Sequence, residues 1–224
     1  GNHVGLPFKT THKQVSSFRA HDTDAEPHQK EPVEPRVVLQ LKAYALGLEV
    51  GLLRTLVLLV LLFAASGLRF KHAQRSRFVE VRKGCLVFQC RRGKRRQHGR
   101  RPGFTWAVHT GLTQNGSELA ELEPFLQQFP FTDDAEEWYL VPAVVKGRAG
   151  IIGNGDQWQF APMSQPSFES ISATLLLQAG MSADAASRAT TYTLRRFLPT
   201  IALRMLLPTE DRQAIGNWVD IPKA

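Results

Sequence analysis

Arginines carry the chemistry open to this chain. Thr190-Thr191-Tyr192-Thr193-Leu194-Arg195-Arg196-Phe197-Leu198-Pro199-Thr200 pairs two of them with a helical apolar face, and Ile215-Gly216-Asn217-Trp218 follows about twenty residues later. Far upstream, Ala65-Ser66-Gly67-Leu68-Arg69-Phe70 puts another arginine at the head of a dense basic segment. Attack on a phosphodiester builds negative charge on its non-bridging oxygens. Guanidinium groups are planar, permanently charged donors that match such oxygens. Donors fixed before a reaction starts stabilise the developing charge better than water does. Two separated arginines and a lysine-bearing turn form a set able to grip one phosphodiester.

The charge distribution agrees. The chain has 224 residues and a formal net charge of +8. From Arg69 to Arg101 it holds 13 of its 28 basic residues against one acid, Glu80. The rest is mildly acidic, 15 basic against 19 acidic residues. A merely soluble face would intersperse both signs, so the patch favours a polyanion, nucleic acid first and acidic membrane second. Cys85 and Cys90 make no disulfide framework. A zinc site joining them to His98 or His109 fits no standard spacing, and buried reduced thiols are the plainer reading; no metal or other cofactor is expected. Reduced thiols suit an intracellular compartment. Leu56 to Ala65 is an unbroken ten-residue apolar run, about half of what a membrane-spanning helix needs, and reads as a buried core helix. Gly147 to Gly155 is glycine-rich but lacks the Gly-Lys-Ser/Thr ending of a nucleotide loop.

Several elements must position these residues. Residues 1–36, histidine-bearing and acidic, read as a tail or linker, and 37–224 as one domain. Val37 to Leu46 reads as a helix with Val38, Leu41, Ala45 and Leu46 inward. A buried helix runs from about Leu52 to Ala65 and ends at Ser66-Gly67, and Lys71 to Arg77 reads as a short helix. Alternation then predicts three strands, Phe78–Val81, Cys85–Cys90 and Phe104–Val108, with basic turns at Arg82-Lys83-Gly84 and Arg91-Arg92-Gly93-Lys94. Asn115 with Glu118 resembles a capping box, and Asp133 with Glu136 can cap another helix. Val141 to Gly155 reads as a loop, and Ser167 to Ala179 as a helix stopped by Gly180. Ser182 caps the next helix. Thr191 to Leu206 reads as one amphipathic helix closed by Pro208, and Thr209-Glu210-Asp211 opens the last. The fold class is mainly helical α+β with a small antiparallel sheet.

Ser66-Gly67-Leu68-Arg69 after an apolar helix resembles the first arginine box of tyrosine recombinases, the phage-integrase-like DNA breaking and rejoining enzymes. A basic three-stranded sheet follows, as in that family. Tyr192-Thr193-Leu194-Arg195 resembles the second box, usually His-x-x-Arg, and Ile215-Gly216-Asn217-Trp218 is similar to its Leu-Gly-His continuation. The likeness spans roughly Val37 to Trp218 and is nearest to the divergent recombinases of eukaryotic mobile elements. It implies a catalytic set of Arg69, Lys94, Tyr192, Arg195, Asn217 and Trp218, with Lys94 as general acid for the leaving 5′ oxygen and no metal. Lys71, Arg75, Arg91, Arg92, Arg95, Arg96 and Arg196 are the expected further DNA contacts. The implied partner is double-stranded DNA, on which the protein could act as a homo-oligomer, in the nucleus if the source is eukaryotic.

The chain departs from the family in three places. Tyr192 stands where histidine is usual, and a phenol, titrating near 10, is a poor base. Asn217 stands where histidine or tryptophan is common. The family nucleophile would fall near position 226, beyond Ala224, and none of Tyr44, Tyr139 and Tyr192 lies there. The chain is therefore expected to be a fragment that binds DNA without turnover, with the family's amino-terminal clamp absent or reduced to the tail. Plainer readings stand beside these. Arg69 can complement a helix dipole, Arg195 and Arg196 can edge an amphipathic helix, Lys94 can be a turn residue, and Trp218 can be core. At the level of the molecule, the alternatives are a decayed, non-enzymatic nucleic-acid-binding remnant and a membrane-associated basic protein.

Overall fold

The computed structural model describes residues 32–91, 103–113, 115–128, 139–145 and 157–211. Helix α1 (Pro35–Gly47) starts at a proline, whose missing N–H costs nothing in a first turn. Its Val37, Val38, Leu41 and Ala45 are buried, and Val33 just before it joins the core. Leu46 was expected inward and is instead exposed. Five residues past Leu41 it has turned about 140° from that face.

Helix α2 (Leu52–Ser66) is the central element. Leu56 to Ala64 are each at most 2% exposed, as an all-round apolar helix must be to remain in water. It ends at Gly67, whose φ of 61° is the left-handed cap conformation that glycine adopts without strain. Among the described residues no helix is long and apolar enough to cross a membrane, and the apolar run that could have served as an anchor is enclosed by protein. Arg54 fixes the entry to α2. It donates to both carboxylate oxygens of Glu121 at 2.8 Å and to the Leu48 carbonyl at 2.9 Å.

Helix α3 (Phe70–Gln74) is shorter than expected because Ser76 and Arg77 belong to the first strand. Strands β1 (Ser76–Arg82), β2 (Cys85–Cys90) and β3 (Phe104–His109) form an antiparallel sheet in that order. The β1–β2 turn is the two-residue Lys83-Gly84, with φ of 49° and 71°, as the twist of a tight hairpin demands. Leu86, Phe88, Cys90, Trp106 and Val108 pack inward, and the Phe88 and Trp106 rings stack at 4.2 Å. Buried Ser76 accepts the Trp106 indole N–H at 2.8 Å.

The expected Asn115–Glu118 capping box does not form. Residues Glu118–Leu122 make a 3₁₀ turn with no side-chain cap, leading into α4 (Glu123–Gln128). The Glu118 carboxylate is pulled away from capping by Lys42, with which it pairs, and by the Leu112 N–H, which donates to it at 3.0 Å. The stretch read as a loop from Val141 contains strand β4 (Pro142–Val145), which pairs antiparallel with β5 (Gln157–Pro162). Buried Gln74 ties this hairpin to α3. Its amide donates to the Val141 and Met163 carbonyls at 2.7 and 2.9 Å, and its carbonyl accepts from Val141 N–H at 2.8 Å.

Helix α5 (Gln165–Gln178) is capped by Ser164 and followed by Gly180 at φ 90°. Ser182 accepts the Ala185 N–H at 3.2 Å to start α6 (Ala183–Arg188). The single helix expected from Thr191 to Leu206 is in fact two, α7 (Thr191–Arg195) and α8 (Phe197–Arg204). Pro199 has no N–H to offer the Arg195 carbonyl four residues back, so the ladder breaks between them. The helix expected at Asp133–Glu136, the turn at Arg91–Lys94 beyond its first residue, and residues 1–31 lie outside the described residues.

Candidate functional site

Two junctions build the site. The first is the sharp exit from α2, Ser66-Gly67-Leu68-Arg69. Ser66 Oγ donates to the Phe63 carbonyl at 3.0 Å and accepts the Leu68 N–H at 3.2 Å, which sets the turn. Leu68 is buried, so the next residue, Arg69, is directed to solvent. Phe70 returns to the core, where its ring packs 5.6 Å from Phe63 of α2 and 5.3 Å from Phe168 of α5. The second junction is α7. Five residues hold a helix poorly on their own, and this one is anchored at its first residue. Glu169 of α5 accepts both the Thr191 N–H, at 2.9 Å, and the Thr191 hydroxyl, at 2.8 Å. Gln165 donates to the same carboxylate oxygen at 3.1 Å.

The two junctions meet. Arg195, from the end of α7, donates its Nε–H to the Gly67 carbonyl at 3.0 Å across 128 positions of sequence. That carbonyl sits at the C-terminal end of α2, the negative end of the helix dipole, where a cation is favoured. Arg69, Phe70, Lys71, Gln165, Thr191, Tyr192 and Arg195 then line one open cleft of about 400 Å³. Burial, followed by the like charge of Arg69, holds the Arg195 guanidinium below the ordinary arginine range, and Tyr192 opposes that shift. The guanidinium remains charged at any physiological pH. Holding two like charges near each other is unfavourable, and an anion between them would relieve the repulsion.

Of the residues expected from sequence, Arg69, Lys71, Tyr192 and Arg195 converge on this cleft. Arg196 stands beside it, its guanidinium 5.8 Å from the centre of the Tyr192 ring. Arg75 and Arg91 do not line the cleft. They meet where α3 passes into the sheet, through a backbone bond from Arg91 N–H to the Arg75 carbonyl at 3.0 Å. Lys94, Arg92, Arg95, Arg96, Asn217 and Trp218 lie outside the described residues. Gln165, Glu169 and the Gly67 carbonyl were not foreseen. Nothing local marks Gln165 or Glu169, which occupy an ordinary polar helix face, while the repeated Thr190-Thr191 was the only hint that α7 had a built start.

No protein-family model and no curated protein matches the chain. Its fold is similar to a solved structure of the site-specific recombinase XerH bound to palindromic difH substrate, a post-cleavage complex, with a TM-score of 0.55 at 13% sequence identity. The match covers 84% of this chain and 46% of that one, so this chain spans less than half the recombinase's length. A helical core with a small three-stranded antiparallel sheet, in a distant recombinase-like fold, is thereby shown.

Proposed function

We propose that this domain binds duplex DNA and seats one phosphodiester in the cleft between Arg69 and Arg195, as the phosphate-gripping part of a tyrosine-type site-specific recombinase. One observation carries the reading. Two arginines far apart in sequence line a single open cleft, and one of them is oriented by a backbone carbonyl at the foot of the other's turn. The non-bridging oxygens accept from the two guanidinium groups, and Lys71 adds positive charge at the rim. Tyr192 donates a hydrogen bond to the phosphate, in the place where the family carries histidine. By the motif likeness, Lys94 is the general acid we assign for the leaving 5′ oxygen. Cleavage of one strand through a tyrosine, and its rejoining, is the activity we assign to the intact parent. The motif likeness also carries our placing of that parent among the divergent recombinases of mobile elements.

The test is binding of a labelled duplex to the wild type and to Arg69→Ala and Arg195→Ala. Each substitution should weaken binding about tenfold or more, as loss of a charge-assisted phosphate contact does, with circular dichroism unchanged. Unaltered affinity and footprint in both variants would remove the assignment.

A further inference from the structure

The outward face of the three-stranded sheet is organised in a way the cleft does not require. Strand alternation would send Arg77, Val79 and Val81 to one face and Glu80 and Arg82 to the other. A bulge breaks the register between Phe78 and Glu80. It places Arg77, Glu80 and Arg82 on the same side, opposite Gln89, Val87 and Cys85 of β2, which in turn oppose Thr105, Ala107 and His109 of β3. Bulges re-aim side chains in this manner. One row, Arg77–Gln89–Thr105, crosses all three strands, and Arg77 Nη2 donates to Gln89 Oε1 at 3.1 Å. Gln89 and Thr105 are exposed. The middle row ends in Ala107, small enough to let another molecule approach the backbone. The single acid of the basic segment, Glu80, is paired with Arg82.

We propose that this face reads base edges of the duplex, with the Arg77–Gln89–Thr105 row inserted in the major groove. The proposal rests on the DNA-binding reading above and adds to it a surface for sequence preference, separate from the phosphate cleft. Side chains on three adjacent strands span about 10 Å, which fits a major groove about 12 Å wide. Guanidinium and carboxamide groups are the side chains that bond purine edges in that groove, and the methyl groups of threonine and alanine suit the thymine methyl. An Arg–Gln pair sharing one hydrogen bond is stiffened in the plane of the row, which reduces the ordering cost on binding. The occupant follows from charge: Arg77 and Lys83 flank the face beside the Arg82–Glu80 pair, within a segment of 13 cations and one acid.

The experiment enriches a randomised duplex library on the wild-type protein. Affinities for the selected duplex and a scrambled duplex are then compared at one salt concentration for the wild type, Gln89→Ala and Gln89→Met. The exposed site should tolerate both replacements, and the near-isosteric methionine separates lost hydrogen bonding from lost bulk. The wild type should enrich a sequence, and both variants should bind it about tenfold more weakly with the scrambled duplex unaffected. Enrichment that both variants retain, equal losses on both duplexes, or a wild type that binds every duplex alike would each overturn the base-reading face while leaving the phosphate cleft standing. A wild type that binds no duplex would fail the DNA reading itself, and this proposal with it.

Discussion

At the residue scale, the buried carboxylate of Glu118 is held by Lys42 and by the Leu112 N–H. Glu118 shows the balance. Burial alone would raise its carboxyl, but the hydrogen bond and charge of Lys42 and the backbone N–H of Leu112 outweigh that and hold it below the ordinary glutamate value. The sign follows. A carboxylate whose folded pKa is depressed adds stability that is full above the unfolded value, about 4.3, and that drains away as pH falls through the lower, folded value. Acid unfolding should therefore begin below about pH 4.3 and be blunted in Glu118→Gln, which has no such proton to take up. Urea titrations at pH 7 and pH 3.5 would check this. Lys42→Ala, which leaves the carboxylate unpaired, should cost about 1–3 kcal/mol at pH 7. A pH dependence identical in wild type and Glu118→Gln would show that the carboxylate makes no difference.

At the scale of elements, the proposed phosphate cleft hangs on the least self-sufficient helix. Strand β2 and the buried helix α2 were legible because period and composition are local: Cys85 to Cys90 alternates, and ten consecutive apolar residues admit few alternatives. Strand β4 was not, because Val141 to Val145 has no polar alternation and its partner lies beyond a glycine-rich stretch. The amphipathic period runs through Thr191–Leu206, but the proline inside it interrupts the hydrogen-bond ladder, and the helix parts at Arg196. That break leaves α7 dependent on Glu169. Glu169→Ala should free the Thr191 amide for hydrogen exchange, displace Arg195 from the Gly67 carbonyl and weaken duplex binding severalfold, although residue 169 itself does not line the cleft. Unchanged exchange at Thr191 would mean that α7 stands without the carboxylate. Glu169→Gln, which still accepts hydrogen bonds, should restore most of the affinity.

At the scale of the whole molecule, the positive excess is confined to one stretch of chain, and this has a measurable consequence. Affinity for duplex DNA should fall steeply with salt, with a logarithmic slope of about −0.9 for each phosphate neutralised. Lys71→Ala, at the cleft, should reduce the slope by about one such contact, whereas Arg204→Ala, exposed at the end of α8 and outside the basic stretch, should leave it unchanged. Equal slopes for the two variants would mean that binding is spread over the surface. What the sequence by itself determined was a basic stretch that favours a polyanion, the buried helix α2, the three strands of the larger sheet and the residue types able to hold a phosphate, since charge, periodicity and side-chain chemistry are properties of near neighbours along the chain. Only the tertiary structure decided that Arg69 and Arg195 share a cleft, that Glu118 serves a lysine rather than a helix end, and that a bulge turns Arg77 and Arg82 to one face. Those outcomes depend on how α2, α5 and α7 pack and on strand register, which are set by contacts between residues many tens of positions apart.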